Sequence, residues 1–115
     1  MGRQMEPIIV NVKALSVNKA YKGRRFKTND YKEYEQEVLA LLPDNIKIPK
    51  NRKLELKMEI CFSNKLSDLD NPVKLFTDTL QKKYSFNDRW IYKIELEKKI
   101  VKKGKEKITF TIEEV

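Results

Sequence analysis

The sequence contains no histidine, and this absence excludes a large part of enzyme chemistry. Without imidazole, a chain cannot build a Ser-His-Asp triad, a histidine general base or the usual zinc sites. The single cysteine, Cys61, excludes an internal disulfide and a cysteine-rich metal site, and it favours a reducing cytoplasm. An enzyme of this composition would depend on carboxylates, lysines and a hard metal such as Mg²⁺, which prefers oxygen ligands.

Long apolar runs are also missing from the chain. No segment approaches about 18 consecutive apolar residues, so we expect no membrane span. Arg3 and Glu6 interrupt the N-terminus before any apolar run, so we expect no secretory signal there. The length of 115 residues and a hydrophobic fraction of 40% predict a single domain, residues 1–115, with a two-layer core.

Positive charge is what the chain has in excess. It carries 25 lysines and arginines against 17 acidic residues, which gives a net charge of +8. Such a chain attracts polyanions through phosphate contacts that weaken as salt is added. This balance favours a nucleic-acid partner, with a ribosomal surface or an anionic membrane as alternatives.

The spacing of apolar residues predicts six elements in the order β-α-β-α-β-β, because strands alternate with period two and helices with period 3.6. The predicted strands cover residues 8–15, 54–62, 91–101 and 108–112, and the predicted helices cover 30–42 and 71–83. Asn29 or Asp30 is the expected cap of the first helix, with Glu33 in a capping box, and Asn71 is the expected cap of the second. Gly104 is expected in a tight turn between the last two strands.

These elements predict an α+β fold with two layers. The economical packing is a four-stranded mixed sheet with two helices on one face. The opposite face is charged along much of its length, so we expect it to contact water or a partner.

The acidic residues that follow the strand at 54–62 are the strongest chemical feature. Asp68 and Asp70 are two residues apart, so in an extended segment both carboxylates point one way and Leu69 points into the core. Their mutual repulsion favours a bound cation. Lys74 lies one helical turn further on, and we expect Asp88, at the start of a later strand, to lie beside the end of this one. Helix capping alone is the competing interpretation of these acids.

The run from Asp68 to Ile91 begins D-L-D-N-P-V-K and resembles the signature of RusA-type crossover junction endodeoxyribonucleases, which are Holliday junction resolvases. The matching positions are Asp68, Asp70, Asn71, Lys74, Asp78 and Asp88. The segments S-V-N-K-A-Y and G-R-R-F-K-T-N-D-Y are similar to the opening loop of the family. Two departures are Ala14-Leu15, where a proline pair is common, and Asn87, where a second acid often stands.

The resemblance implies a homodimeric, Mg²⁺-dependent nuclease that nicks paired strands of a four-way DNA junction in the cytoplasm of a bacterial or phage-infected cell. By this resemblance Asp68, Asp70 and Asp88 hold the metal. Lys74 would neutralise charge in the transition state or orient the attacking water. Asn71 and Asp78 would support these groups, with Asp78 as a partner of Lys74.

Basic and aromatic residues are interleaved in the predicted loop between the first strand and the first helix. The candidate DNA-binding residues are Lys19, Tyr21, Lys22, Arg24, Arg25 and Lys27. Cations of this kind bind phosphates, and rings stack on unpaired bases. The alternative is a solvated loop whose rings pack on the core.

Three alternatives remain open at this point. Pro43-Asp44 followed by Glu55-Leu56-Lys57 matches a pattern of restriction-type nucleases, although glutamate and lysine are so common here that chance matches are expected. The chain could be a non-catalytic nucleic-acid-binding module, or a metal-dependent nuclease for flap DNA or RNA. Metal-dependent nicking separates the binding module from both nucleases.

Overall fold

The computed structural model describes residues 6–15, 21–22, 26–67, 69 and 72–115, with the backbone alone at 21–22 and 26–27. The helices and strands are β1 Ile8–Val10, β2 Tyr21–Lys22, β3 Phe26–Lys27, α1 Asn29–Leu41, β4 Leu54–Phe62, α2 Val73–Tyr84, β5 Ile91–Ile100 and β6 Lys107–Glu114. A 3₁₀ turn at Asp88–Trp90 precedes β5. The predicted α+β fold, with a four-stranded mixed sheet and two helices, is confirmed. The short β2–β3 ribbon lies within the segment that we expected to be an irregular loop.

The main sheet has the strand order β1-β6-β4-β5. β4 and β5 are parallel, with Leu54 opposite Ile91 and Phe62 opposite Ile100. The expected hairpin of β5 and β6 is wrong, because β6 pairs antiparallel with β4 on the side away from β5. Gly104, with φ of 93°, is in the connecting turn as predicted and adopts a conformation that suits glycine. This order leaves β5 at one edge of the sheet.

Two boundaries near the N-terminal part of the chain differ from expectation. β1 ends at Val10 because the Val12 amide bonds back to the Val10 carbonyl at 2.9 Å and leaves the ladder. The N-cap of α1 is Thr28, whose hydroxyl accepts a hydrogen bond from the Tyr31 amide at 3.2 Å. The expected cap at Asn29 or Asp30 is therefore wrong. The helix ends at Leu41, one residue before the predicted end, and Pro43 follows shortly after as expected.

Both helices pack their apolar stripes into one core. Among the described residues, Tyr31 and Val38 of α1 are buried together with Phe76 and Leu80 of α2. Phe76 meets Phe110 of β6 edge to face, with ring centroids 5.3 Å apart. Within the described chain, neither helix is long and apolar enough to cross a membrane.

The face of the sheet opposite this core is charged. Glu55, Lys57 and Glu59 of β4 alternate with buried residues, so they point away from the helices. Two lysines of β5 form ion pairs with this row at 3.2 Å, Lys93 with Glu55 and Lys99 with Glu59.

Candidate active site

The first part of the candidate site is the end of β4 and the start of α2. Asp68, Asp70 and Asn71 lie outside the described residues. Leu69 is half-buried against the core, as predicted. Pro72 is buried at the N-cap position of α2 and makes no side-chain cap hydrogen bond, and the helix begins at Val73. The loop that carries both acids in sequence thus joins the C-terminal end of β4 to the N-terminal end of α2.

Lys74 lies in the first turn of α2, and its side chain is 69% exposed. The first turn of a helix carries partial positive charge, so a cation there does not stabilise the helix. Lysine charge and helix charge together attract an anion such as a phosphate group. Lys74 Nζ is 3.5 Å from Asp78 Oδ2, which is the expected pairing. An exposed pair of this kind contributes about 0–1 kcal/mol to stability.

A chain of polar contacts continues from this pair along the helix. Gln81 Nε2 donates to Asp78 Oδ1 at 3.3 Å, and Gln81 Oε1 accepts from the Asp88 amide at 2.9 Å. Lys74, Asp78 and Gln81 are spaced by four and then three residues, so they lie on one helix face. Gln81 was not among the residues expected from sequence, although this spacing is visible there.

Asp88 lies at the opposite end of α2 from the loop that carries Asp68 and Asp70. Because β4 and β5 are parallel, the start of β5 lies beside the start of β4. Our expectation that Asp88 lies beside the end of β4 is therefore wrong. About 13 Å of helix separate Pro72 from Gln81, which holds the Asp88 amide. Within the described residues, no three metal-binding side chains lie together.

The side chain of Asp88 is suited to a hard cation. Asn87 caps the 3₁₀ turn by accepting from the Arg89 amide at 2.9 Å, and Asp88 itself is exposed. Within the described part of the chain, no ion pair or hydrogen bond engages its carboxylate. Carboxylate oxygens are ligands that Mg²⁺ prefers, and the sequence contains no histidine that would favour a transition metal. The residues that could hold such an ion are Asp68, Asp70 and Asp88.

A cleft of about 780 Å³ lies beside the loop that follows β4. Its walls include Ser67 from this loop and Asp30, Glu33 and Glu37 from α1. Tyr34 also lines it, with a buried hydroxyl that has no hydrogen-bond partner among the described residues, and burial raises the pKa of this phenol. The acidic wall favours cations over a bare phosphate in this cleft.

The restriction-type alternative is not assembled in the structure. Asp44 binds Lys83 Nζ at 2.5 Å in the helical layer, and this hydrogen bond lowers the pKa of Asp44. Glu55 lies on the opposite face of the sheet with Lys93. These two acids therefore belong to different layers of the fold.

The candidate DNA-binding loop is described only in part. Tyr21 pairs with Lys27 and Lys22 with Phe26 in the β2–β3 ribbon, which leads directly into α1. Lys19, Arg24 and Arg25 lie outside the described residues. The ribbon places the backbone of Lys22 and Lys27 on two adjacent antiparallel strands.

A basic α+β chain with a helix-borne lysine at an exposed helix N-terminus is suited to a polyanionic partner. The family model described as Endodeoxyribonuclease RusA matches residues 7–113, so the chain belongs to the RusA family of endodeoxyribonucleases. Membership confirms the resemblance and implies an endonuclease that resolves Holliday junctions, which are branched DNA. Comparison with curated protein sequences gave no match.

Proposed function

We propose that the chain is a Mg²⁺-dependent endonuclease that resolves four-way DNA junctions by paired nicks. The observation that carries this proposal is the family match over residues 7–113, nearly the whole chain. The net charge of +8 supports it, because a junction offers phosphates on all four arms.

We assign the groups of the site from the family resemblance, and the chemistry of their side chains is consistent with these roles. Asp68, Asp70 and Asp88 would hold the metal, which supplies an acidified water and positive charge beside the scissile phosphate. Lys74 adds a fixed positive charge where charge grows in the transition state, and Asp78 holds its ammonium group at 3.5 Å. Gln81 holds the backbone of Asp88 to the same helix face.

The topology favours a metal centre shared between two subunits. In one chain, α2 separates Asp88 from the loop that carries Asp68 and Asp70. If β5 pairs antiparallel with β5 of a second copy, the start of one strand lies beside the end of the other. The end of β5 is opposite Phe62, where that loop begins. A two-fold dimer would therefore bring Asp88 to the acids of the partner, and would form two equal centres.

The β5 edge is a better candidate for the dimer surface than the uncovered face of the sheet. In the described part of the chain, no strand pairs with its outer side. It carries Tyr92, Ile94 and Ile100 at 63%, 48% and 52% exposure, and such edges readily pair with another strand. The uncovered sheet face instead carries charged side chains, and two of its acids, Glu55 and Glu59, are already paired with lysines of β5.

Digestion of a synthetic four-way junction tests the proposed activity. With Mg²⁺ we expect symmetric nicks in two opposed strands, and with EDTA we expect binding without cleavage. Flap DNA, linear duplex and RNA of matched length serve as competitors. Binding without nicks at any metal concentration would support the binding module, and faster cleavage of flaps or RNA would support the third alternative.

Lys74→Ala should lower the cleavage rate about 10²-fold with little change in junction affinity, because its charge acts mainly in the transition state. The measurement is single-turnover cleavage at saturating protein, together with gel-shift affinity in Ca²⁺. Lys82→Ala is the matched control, since Lys82 lies on the same helix and pairs with Glu35 at 2.6 Å. A collapse of affinity with normal cleavage at saturation would place Lys74 on the binding surface.

Replacing Arg24, Arg25 and Lys27 with alanine should weaken junction binding and flatten its salt dependence. The slope of log affinity against log salt should fall by about one unit for each phosphate that the variant no longer binds. Affinity measured at four or more salt concentrations checks this. A triple variant of Lys102, Lys103 and Lys105 removes equal charge elsewhere and should leave the slope nearly unchanged. An unaltered slope in the first variant would mean that the loop does not bind phosphate.

A further inference from the structure

Lys98 lies on the mainly apolar side of β5. The side of this strand that faces the helical layer carries Ile94, Leu96, Lys98 and Ile100, with Lys98 opposite the buried Ile60. Lys98 is half-buried in this row. Burial of an ammonium group is costly unless it finds hydrogen-bond partners, so the contacts of this residue indicate why it is there.

Those contacts are backbone carbonyls of the loop that follows β4. Lys98 Nζ donates to the Lys65 carbonyl at 2.7 Å and to the Ser67 carbonyl at 2.5 Å. It also lies 5.7 Å from the centre of the Phe62 ring, within cation–π range. The Lys98 ammonium group on the edge strand is thus hydrogen-bonded to the backbone of Ser67, the residue immediately before Asp68.

The same loop is held from a second direction. Ser63 Oγ donates to Glu106 Oε2 at 2.8 Å, and Glu106 Oε1 accepts from the Gly104 amide at 2.7 Å. Asn64 closes the turn inside the loop, since its side chain accepts from the Leu66 amide at 2.9 Å. Of these interactions, the hydrogen bond from Lys98 to Ser67 is nearest to Asp68 in sequence.

We propose that Lys98 is a positioning residue for the metal centre, an inference that rests on the proposed function. By binding the Ser67 carbonyl, it orders the loop before the metal arrives, while Leu69 anchors the loop between the two acids on the core. Preordered ligands bind a cation more tightly, because the loop loses less conformational freedom on binding. Loss of a group that orients metal ligands typically lowers metal affinity 10- to 100-fold.

Lys98→Met tests this proposal, because methionine keeps most of the length of the unbranched side chain and removes the charge. Lys98→Arg is the conservative variant, and Lys102→Met is the matched control on the exposed turn. If Lys98→Met does not fold, Lys98→Gln takes its place. Sedimentation confirms that each variant keeps the oligomeric state of the parent protein.

Two measurements report on the metal. The first is the Mg²⁺ concentration at half-maximal single-turnover cleavage, and the second is Mn²⁺ binding to the DNA-free protein by electron paramagnetic resonance. We expect Lys98→Met to raise both midpoints about tenfold while junction affinity in Ca²⁺ changes less than about twofold. Lys98→Arg should restore most of the metal affinity, and Lys102→Met should match the parent protein.

A third measurement is independent of nuclease activity. Trypsin cleaves after Lys65, and the rate of this cut in the native protein reports how tightly the loop is held. Lys98→Met should be cut several-fold faster than the parent protein and the Lys102→Met control. If the parent protein cleaves no DNA, the proposed function fails, and this rate still tests whether Lys98 orders the loop.

The proposal is overturned by unchanged metal midpoints in Lys98→Met or Lys98→Gln. It is also overturned by an unchanged cleavage rate after Lys65. A third contrary result is a lower salt slope of junction binding with normal metal dependence, because Lys98 would then bind phosphate itself. If Lys98 had only a structural role, its replacement would lower the thermal stability of the protein and leave the metal midpoints unchanged.

Discussion

Asp70→Asn protein is expected to bind a four-way junction as tightly as the parent protein, or more tightly, and to cleave it at least about 10³-fold more slowly. The substitution removes one negative charge that repels DNA and replaces a carboxylate ligand with a weaker amide. A 10³-fold decrease corresponds to about 4 kcal/mol of transition-state stabilisation. Single-turnover cleavage in Mg²⁺ and gel-shift affinity in Ca²⁺ measure the two effects separately.

Asp44→Asn provides the matched control for this experiment. It makes the same chemical change at an exposed aspartate that binds Lys83, away from α2's N-terminal end. The control should retain parental cleavage. Full Mg²⁺-dependent activity in Asp70→Asn would remove the proposed site, whatever the behaviour of the control.

Heterodimers of Asp70→Asn and Asp88→Asn subunits should regain cleavage of one strand, although each homodimer is inactive. If Asp88 completes the centre of the partner, one of the two centres in this heterodimer keeps all its ligands. Two different affinity tags and sequential purification isolate the heterodimer. Its mass should be roughly twice the 13.7 kDa of the chain.

A second heterodimer, with both substitutions on one chain, is the control that distinguishes a shared metal centre from a centre built within one subunit. A chain carrying both substitutions, paired with a parental chain, has the same two changes per dimer. Shared centres are then both damaged, so this heterodimer should be inactive. A centre built within one subunit predicts the reverse, namely an inactive first heterodimer and a second one that nicks one strand.

The fold could be predicted largely from hydrophobic periodicity. Buried residues alternate with less buried ones from Leu54 to Ile60, and the predicted bounds of this strand, Leu54 and Phe62, match those of β4. Strand order was less accessible, because periodicity reports which face of a strand is buried and carries no information on its neighbours. The insertion of β6 beside β4, and not beside β5, illustrates this limit.

The candidate site, like the fold, could be predicted from the sequence only in part. The pairing of Lys74 with Asp78 follows from helical spacing and was expected. The location of Asp88 depended on whether β4 and β5 run in parallel, which no local pattern specified. Lys98 was not singled out from the sequence, although a lysine between Leu96 and Ile100 breaks the apolar alternation of β5. That break was the signal available in the sequence.

Digestion of a supercoiled plasmid that extrudes a cruciform tests the central claim most directly. The cruciform base is a four-way junction, and paired nicks within one binding event convert the plasmid to a linear form. In Mg²⁺ we expect linear product as the main early species, and in EDTA we expect none. Nicked circles without linear product, or cleavage that is the same for a plasmid lacking the cruciform, would contradict the proposed junction resolution.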